Sequence, residues 1–224
     1  MPGLNGYELQ SRIKEINPSI SVILMSSENY SQTSLTIEAL NNGAIDFIQK
    51  PTSSSHQSNL VELDKQIFTL FKTLFPTITR RGATISATPT NRFQPKRSTP
   101  PAHTKNISAF SDYKLLVIGV STGGPQALGK IIPKLPSTFK IPILIVQHMP
   151  ANFTRSLADS LDKKSFITVK EAEQNDSLTP GIAYIAPGGK QMAIHSNQGK
   201  PIIVITDDPP ENSCKPSVDY TFRS

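Results

Sequence analysis

The sequence contains very little cysteine and no long apolar run. Cys214 is the single cysteine among 224 residues, so no disulfide can form within the chain. No stretch approaches the roughly 18 consecutive apolar residues of a membrane-spanning helix. The first ten residues also show neither the basic nor the apolar segment of a secretion signal. These absences exclude an internal disulfide framework and favour a cytoplasmic protein without membrane insertion.

Acidic residues are missing from residues 76–111, which are rich in proline, threonine and serine. Outside this segment basic and acidic residues balance at 17 each, so the net charge of +6 arises from the segment alone. Because the segment has no apolar period it cannot bury a core, and we predict a linker. Its positive charges are interpreted as solvated, and binding to nucleic acid or anionic lipid is the alternative. The charged residues are Arg80, Arg81, Arg92, Lys96, Arg97 and Lys105.

Predicted helices and strands alternate on both sides of this linker, which indicates parallel sheets and an α/β fold. In residues 1–75 the helices are GYELQSRIKEIN, SQTSLTIEALNNG and NLVELDKQIFTLFKTLF, and the strands are ISVILM and AIDFI. Two of these features carry more specific predictions. The run ISVILM suits a strand buried on both faces, and Gly43 suits the end of a helix. The last helix has an apolar stripe of Leu60, Leu63, Ile67, Leu70, Phe71 and Phe75.

Residues 112–224 repeat this pattern and end in a predicted hairpin and a short helix. KLLVIGV and IPILIVQ are predicted as buried strands, followed by the helices PQALGKIIPKL and NFTRSLADSLDKK respectively. Asn152 is the predicted N-cap of the second helix. FITVK and IAYIA are shorter strands, QMAIH and IIVIT flank a hairpin turn, and KPSVDYTFRS begins a helix.

A serine lies between glycines where an apolar run ends, in the stretch LLVIGVSTGGP at residues 115–125. Gly119, Ser121 and Gly123 match the pattern G-x-S-x-G between a predicted strand and a predicted helix, which is the setting of a nucleophilic serine. Glycine permits the tight turn, and the N–H groups at the helix start can stabilise an oxyanion. The same N–H groups also suit a phosphate, and a purely structural turn is a third possibility. The motif alone leaves these three open.

His148 is the candidate base for this serine because it follows the next predicted strand. The ends of neighbouring parallel strands lie about 5 Å apart, so the imidazole and the hydroxyl can meet there. A histidine at a strand end is also commonly a surface or capping residue, and that alternative stays open. Spacing selects no carboxylate as the third member of a triad and shows no metal pattern. The aspartates considered are Asp159, Asp162, Asp176, Asp207, Asp208 and Asp219.

Four stretches beyond residue 112 closely resemble the catalytic domain of the CheB family, the chemotaxis response-regulator protein-glutamate methylesterases. They are VIGVSTGGPQAL, VQHMPANFTRSLADSL, VKEAEQNDSLTPGIAYIAPGGKQM and KPSVDYTFRS. MPGLNGYEL, ISVILMSS and GAIDFIQKP resemble the second half of the receiver domain that this family carries ahead of it. The resemblance implies a partial flavodoxin-like receiver over 1–75, a linker over 76–111, and a partial doubly wound parallel α/β esterase domain over 112–224.

The resemblance implies hydrolysis of glutamate methyl esters on chemoreceptors, with deamidation of receptor glutamines as a related activity. Ser121 is then the nucleophile, His148 the base, and backbone N–H groups around Thr122 and Gly123 form the oxyanion site. Neither a metal nor an organic cofactor is implied for the acyl transfer. The implied partners are methyl-accepting chemoreceptors as substrate and the chemotaxis histidine kinase as phosphodonor. Neither nucleic acid nor membrane insertion is implied.

The receiver resemblance implies control by phosphorylation, which relieves a docked receiver from the active site. Ser26 aligns with the switch Ser/Thr of receivers, and Lys50 aligns with the lysine that contacts the phosphoryl group. The family's acceptor aspartate and its acidic Mg²⁺ ligands are expected before Met1, and its triad aspartate is expected beyond Ser224. On this basis we expect a fragment truncated at both ends, poorly active and unable to accept phosphate at the usual site.

Two other functions compete with the esterase. The first is a catalytically inactive module that binds other signalling proteins. The second is nucleic-acid binding through the arginines of residues 76–111, which predicts a steep dependence on salt.

Overall fold

The computed structural model describes residues 3–27, 29–75 and 114–224, so the predicted linker over 76–111 lies outside the described residues. The described residues before 76 form the N-terminal part, and those from 114 onward form the C-terminal part. None of the described helices is both long and apolar enough to cross a bilayer.

The N-terminal part contains three helices and a two-stranded parallel sheet. Its elements are α1 (Gly6–Ile16), β1 (Ile23–Ser26), α2 (Tyr30–Asn41), β2 (Asp46–Gln49) and α3 (His56–Leu74). The Asn5 side chain accepts a hydrogen bond from the Glu8 N–H, and the Glu8 carboxylate accepts one from the Asn5 N–H, which together cap the start of α1. The predicted end of α2 at Gly43 is confirmed, since Gly43 adopts a φ of +99° that other residues rarely adopt.

The C-terminal part contains a four-stranded parallel sheet with the order β3-β4-β6-β5 and an antiparallel hairpin of β7 and β8. The predicted α/β class with parallel sheets is confirmed in both parts. The elements are β3 (Leu116–Val120), α4 (Gly124–Ile131) with a 3₁₀ turn (Ile132–Lys134), β4 (Ile143–Gln147), α5 (Phe153–Asp162), β5 (Thr168–Glu171), β6 (Ile182–Ile185), β7 (Gln191–Asn197), β8 (Lys200–Thr206) and α6 (Val218–Phe222).

Strand β4 is buried along its whole length because the sheet is covered on both faces. Ile143 and Ile145 belong to an apolar cluster with residues of α4 and α5. Leu144 and Val146 belong to a second cluster with residues of β7, β8 and α6. Successive side chains of a strand point to opposite faces, so a continuously apolar run is what a doubly covered strand requires.

The two parts share one of these apolar clusters. Ile37 and Leu40 of α2 belong to the same cluster as Leu157 of α5. The rings of Phe47 and Phe153 stack with their centroids 4.3 Å apart. Buried hydroxyls add to this contact, since Thr33 Oγ1 and Ser156 Oγ lie 2.7 Å apart, and Asn41 Nδ2 donates to Ser160 Oγ at 3.1 Å. The contact packs α2 and β2 against α5, one of the helices that cover the C-terminal sheet.

The burial expected of β1 and β3 is wrong in part, although the helices and strands themselves form. In the stripe of α3 only Leu70 is buried, because the described residues offer this helix only a two-stranded sheet. Met25 of β1 is 49 % exposed, so β1 is not buried on both faces. Leu116 is also exposed because β3 is the edge strand of the described sheet. Asn152 occupies the N-cap position of α5, but its side chain makes no capping hydrogen bond.

Candidate active site

Ser121 and His148 follow the paired ends of two neighbouring parallel strands. Val120 of β3 lies opposite Gln147 of β4. The His148 N–H continues the ladder by donating to the Val120 carbonyl oxygen at 3.1 Å. The sheet therefore fixes the backbones of both residues side by side at its carboxyl edge, where α/β proteins bind ligands.

The Ser121 turn, residues 121–124, leads directly into α4. Its Gly124 N–H donates to the Ser121 carbonyl oxygen at 2.7 Å, and Gly123 adopts a φ of +77°. Glycine is required at 124 for a different reason, because a Cβ there would overlap Gln147 Oε1. Since the Gly124 N–H is already bonded, the backbone N–H groups proposed for an oxyanion are those of Thr122 and Gly123.

His148 is half-buried beside Cys214 and has a free ring nitrogen. Its Nδ1 lies 3.6 Å from Cys214 Sγ. Its Nε2 is buried and has no hydrogen-bond partner among the described residues. Burial lowers the pKa of the His148 imidazole below its ordinary value, and the negative charge of Asp219 opposes that shift. A neutral imidazole with an unpaired nitrogen can accept a proton.

Asp219 and Cys214 are the groups near His148 that sequence reasoning did not place there. Asp219 is exposed and accepts a hydrogen bond from Asn212 Nδ2 at 2.6 Å. Burial, and to a smaller extent the charge of Asp219, raise the pKa of the Cys214 thiol. Cys214 is 66 positions from His148, and no periodic pattern connects residues so far apart. Only the KPSVDYTFRS stretch pointed to this region of the chain.

The aspartates of the β8–α6 loop are engaged elsewhere. Asp207 forms ion pairs with Lys190 at 2.7 Å and Lys215 at 3.6 Å, and Asp208 accepts a hydrogen bond from the Tyr220 hydroxyl. In the described chain neither carboxylate is bonded to His148, so neither acts as its orienting group.

The N-terminal part forms one wall of the cavity that contains Ser121. This cavity, of about 380 Å³, is lined from β2 and α3 on one side and by Ser121, Thr122, His148 and Pro150 on the other. Asp46 of β2 hydrogen-bonds the Thr122 hydroxyl next to Ser121. Burial raises the pKa of the Asp46 carboxyl, and the bonds from Thr122 and the Phe47 N–H partly offset that rise. The N-terminal part therefore faces Ser121 across this cavity, and Ser121 itself is exposed.

Ser26 and Lys50 lie together at the carboxyl edge of the smaller sheet. The Lys50 N–H donates to the Ser26 carbonyl oxygen at 2.7 Å, and the Thr36 hydroxyl donates to Ser26 Oγ at 2.6 Å. Both residues line a second cavity of about 390 Å³. Among the described residues, no group of three or more histidine, cysteine, aspartate or glutamate side chains could hold a metal ion.

Comparison with known proteins relates both parts of the chain to known families. Residues 116–224 match the CheB methylesterase family, and residues 1–62 match the response regulator receiver domain. The chain thus carries a CheB methylesterase match after a receiver match. A protein-glutamate methylesterase/protein-glutamine glutaminase of Desulfotalea psychrophila is 43 % identical over 229 residues, which cover 100 % of this chain and 63 % of the relative.

Other relatives extend the comparison. A protein of the same description from Bacillus licheniformis is 39 % identical over 224 residues, covering 100 % of this chain and 62 % of the relative. The crystal structure of the Thermotoga maritima CheB methylesterase catalytic domain is 47 % identical, with a TM-score of 0.47, covering 48 % of this chain and 57 % of that one. The chain thus spans somewhat more than 60 % of the length of the first two curated relatives.

Proposed function

We propose that this chain is part of a CheB-family esterase that hydrolyses glutamate γ-methyl esters on chemoreceptors and deamidates receptor glutamines. The observation that carries the proposal is the placement of Ser121 and His148 in one cavity, with His148 Nε2 buried and unpaired. The relatives' descriptions supply the substrate class, a protein glutamate ester or glutamine side chain.

In the proposed mechanism Ser121 Oγ attacks the ester carbonyl carbon while His148 accepts the hydroxyl proton. The N–H groups of Thr122 and Gly123 stabilise the oxyanion that forms. When the C–O bond breaks, His148 returns the proton to the leaving methoxide and methanol departs. A water molecule then attacks the acyl-serine, with His148 again accepting a proton. As the bond from the acyl carbon to Oγ breaks, His148 returns that proton to Oγ, which leaves the glutamate side chain and free Ser121.

We further propose that the N-terminal part restrains this reaction and that a chemotaxis histidine kinase controls it through phosphorylation. Support comes from the position of β2 and α3 on the cavity wall and from the contact of Asp46 with Thr122. Ser26 and Lys50 are the proposed groups that respond to a phosphoryl group, because a hydroxyl and a cation both bind its oxygens. The cytoplasm is the proposed location, where the kinase and the receptor ends meet.

The test is methanol release from methylated chemoreceptor membranes by the natural full-length polypeptide that carries this sequence. Ser121→Ala is expected to lower the rate by about 10⁴-fold or more, since the acyl-enzyme cannot form. Ser196→Ala, the same change at an exposed position of β7, is the matched control and should leave the rate unchanged. Equal methanol release by the Ser121→Ala variant would contradict the proposal and favour a non-catalytic interaction module.

A further inference from the structure

Gln147 is a buried polar residue at the end of the central strand β4. Its side chain is 2 % exposed, in a strand whose other residues are all apolar. By the alternation along β4 it lies on the face of the sheet that α4 and α5 cover. Burying an amide costs free energy unless its polar atoms are hydrogen-bonded, so the bonds that Gln147 makes are informative.

Both hydrogen bonds of the Gln147 amide go to the backbone of the proposed catalytic residues. Nε2 donates to the Ser121 carbonyl oxygen at 3.1 Å and to the His148 carbonyl oxygen at 3.2 Å. One amide thereby joins the Ser121 turn to the segment that carries the imidazole. The Ser121 carbonyl also accepts from the Gly124 N–H, so the bond from Gln147 is not needed merely to pair a buried carbonyl.

Gln147 and Gly124 are complementary in shape. A Cβ on Gly124 would overlap Gln147 Oε1 and would lie 3.0 Å from Gln147 Cδ. The absence of a side chain at 124 is what allows the amide to lie beneath the turn. Oε1 itself is buried without a hydrogen-bond partner among the described residues. An apolar side chain of similar size would avoid that cost, so stability alone does not account for the amide.

We propose that Gln147 is a positioning residue of the esterase site, whose amide fixes the Ser121 turn relative to His148. This inference rests on the function proposed above. Its physical basis is that the nucleophile and the base must be held close to one geometry, and a displacement of about 1 Å can cost about 100-fold in rate. Gly124 is part of the same arrangement, because the absence of a side chain there leaves the space that the amide occupies.

The test compares kcat and KM for ester hydrolysis by the natural full-length polypeptide with those of its variants. Gln147→Met keeps the volume and removes the Nε2 donors, and kcat should fall about 10- to 100-fold while KM changes by less than about threefold. Gln10→Met is the matched control. Gln10 is also buried, donates through Nε2 to one backbone carbonyl, that of Asn42, and has an unpaired Oε1, but it lies on α1. Gln10→Met should leave kcat unchanged.

A double-variant cycle separates positioning from a general loss of structure. Gly124→Ala should lower kcat by itself, because the new Cβ displaces the amide. In a Gln147→Ala background the same change should lower kcat by a smaller factor, since the overlap with the amide is then gone and only the approach of the new Cβ to Val120 Cβ, at 2.9 Å, remains. If the losses of kcat in the two single variants multiply fully in the double variant, Gly124 and Gln147 act separately, and the proposed arrangement is overturned.

An NMR titration of the His148 ring gives a readout that does not need turnover. If the amide holds the turn against His148, Gln147→Met admits water and the pKa of the imidazole moves up toward its ordinary value. Cys214 and Asp219, the titratable groups beside the ring, are unchanged in every variant. An unchanged titration, or a kcat within twofold of the unmodified protein while Ser121→Ala is inactive, overturns the inference alone. If the unmodified protein is as inactive as Ser121→Ala, the proposed function fails, and the titration still decides the role of Gln147.

Discussion

The imidazole of His148 is under two opposing influences. Burial lowers its pKa, and the charge of Asp219 on α6 raises it by a smaller amount. The proposed base must be neutral, so the acid limb of the rate profile should lie below the ordinary histidine value. Removing the Asp219 charge should move that limb to still lower pH.

The substitution that checks this is Asp219→Asn, measured as the pH dependence of kcat/KM for methanol release. Asparagine keeps an oxygen that can accept the hydrogen bond from Asn212. The matched control is Asp64→Asn, which removes an equal charge from an exposed position of α3 and should leave the midpoint in place. A midpoint that rises in Asp219→Asn would contradict the assignment of Asp219 as the group that supports the imidazolium.

The sequence allowed us to predict which residues at the ends of neighbouring strands lie together. It did not allow the same prediction for residues that reach the cavity from other loops and elements. Ser121 and His148 were selected because each follows a strand, and parallel pairing of β3 and β4 brings such positions together. Their catalytic roles stay predictions. Cys214 and Asp46 could not be predicted as their neighbours, because those contacts depend on how loops and whole elements pack.

Among the elements, the short helix α6 is held against β3 by a close contact at a glycine. A Cβ on Gly119 would lie 2.5 Å and 2.8 Å from the two Cγ atoms of Val218. Gly119→Ala should therefore push α6 away and lower the free energy of unfolding by about 1–3 kcal/mol. Urea unfolding measures this, and Gly119→Ala combined with Val218→Ala should recover part of the loss. An unfolding midpoint unchanged by Gly119→Ala would show that the contact is not tight.

The elements themselves were largely predictable because their periods and end signals are local. Gly43 ends α2, and the turn at Gln198 and Gly199, with φ of +50° and +79°, closes the hairpin. The exposure of the apolar stripe of α3 was not predictable. The spacing of apolar residues indicates which side of a helix is apolar, but it does not indicate how much of that side a neighbouring element covers. The edge position of β3 depends on the order of the strands in the described sheet, and the sequences of short strands do not determine that order.

For the whole molecule, the arrangement of the two parts comes from contacts between residues that are far apart in the sequence. Thr33 and Ser156, for example, are 123 positions apart and meet as buried hydroxyls. No local pattern encodes such a pairing, and the predicted linker that connects the parts lies outside the described residues. Only the resemblance to the CheB family pointed to a receiver placed over the esterase site.

A substitution of Phe47 tests this arrangement of the two parts. Phe47 stacks on the fully buried Phe153 and also lines the cavity of Ser121. Phe47→Ala should weaken the contact between the parts by about 2 kcal/mol, because it removes a ring contact and a half-buried apolar surface. If the N-terminal part restrains access to Ser121, the same change should raise methanol release by about 5- to 30-fold, the shift in population that such a loss permits.

The matched control is Phe68→Ala, since Phe68 lies on α3 and is 63 % exposed. It should change neither the rate nor the thermal unfolding midpoint. If Phe47→Ala lowers the midpoint and speeds methanol release while Phe68→Ala does neither, the contact of Phe47 with Phe153 both stabilises the chain and limits its proposed activity. A lower midpoint with a slower rate would instead mean that β2 helps to shape the reactive cavity, and the N-terminal part would then be a support of the site and not its restraint.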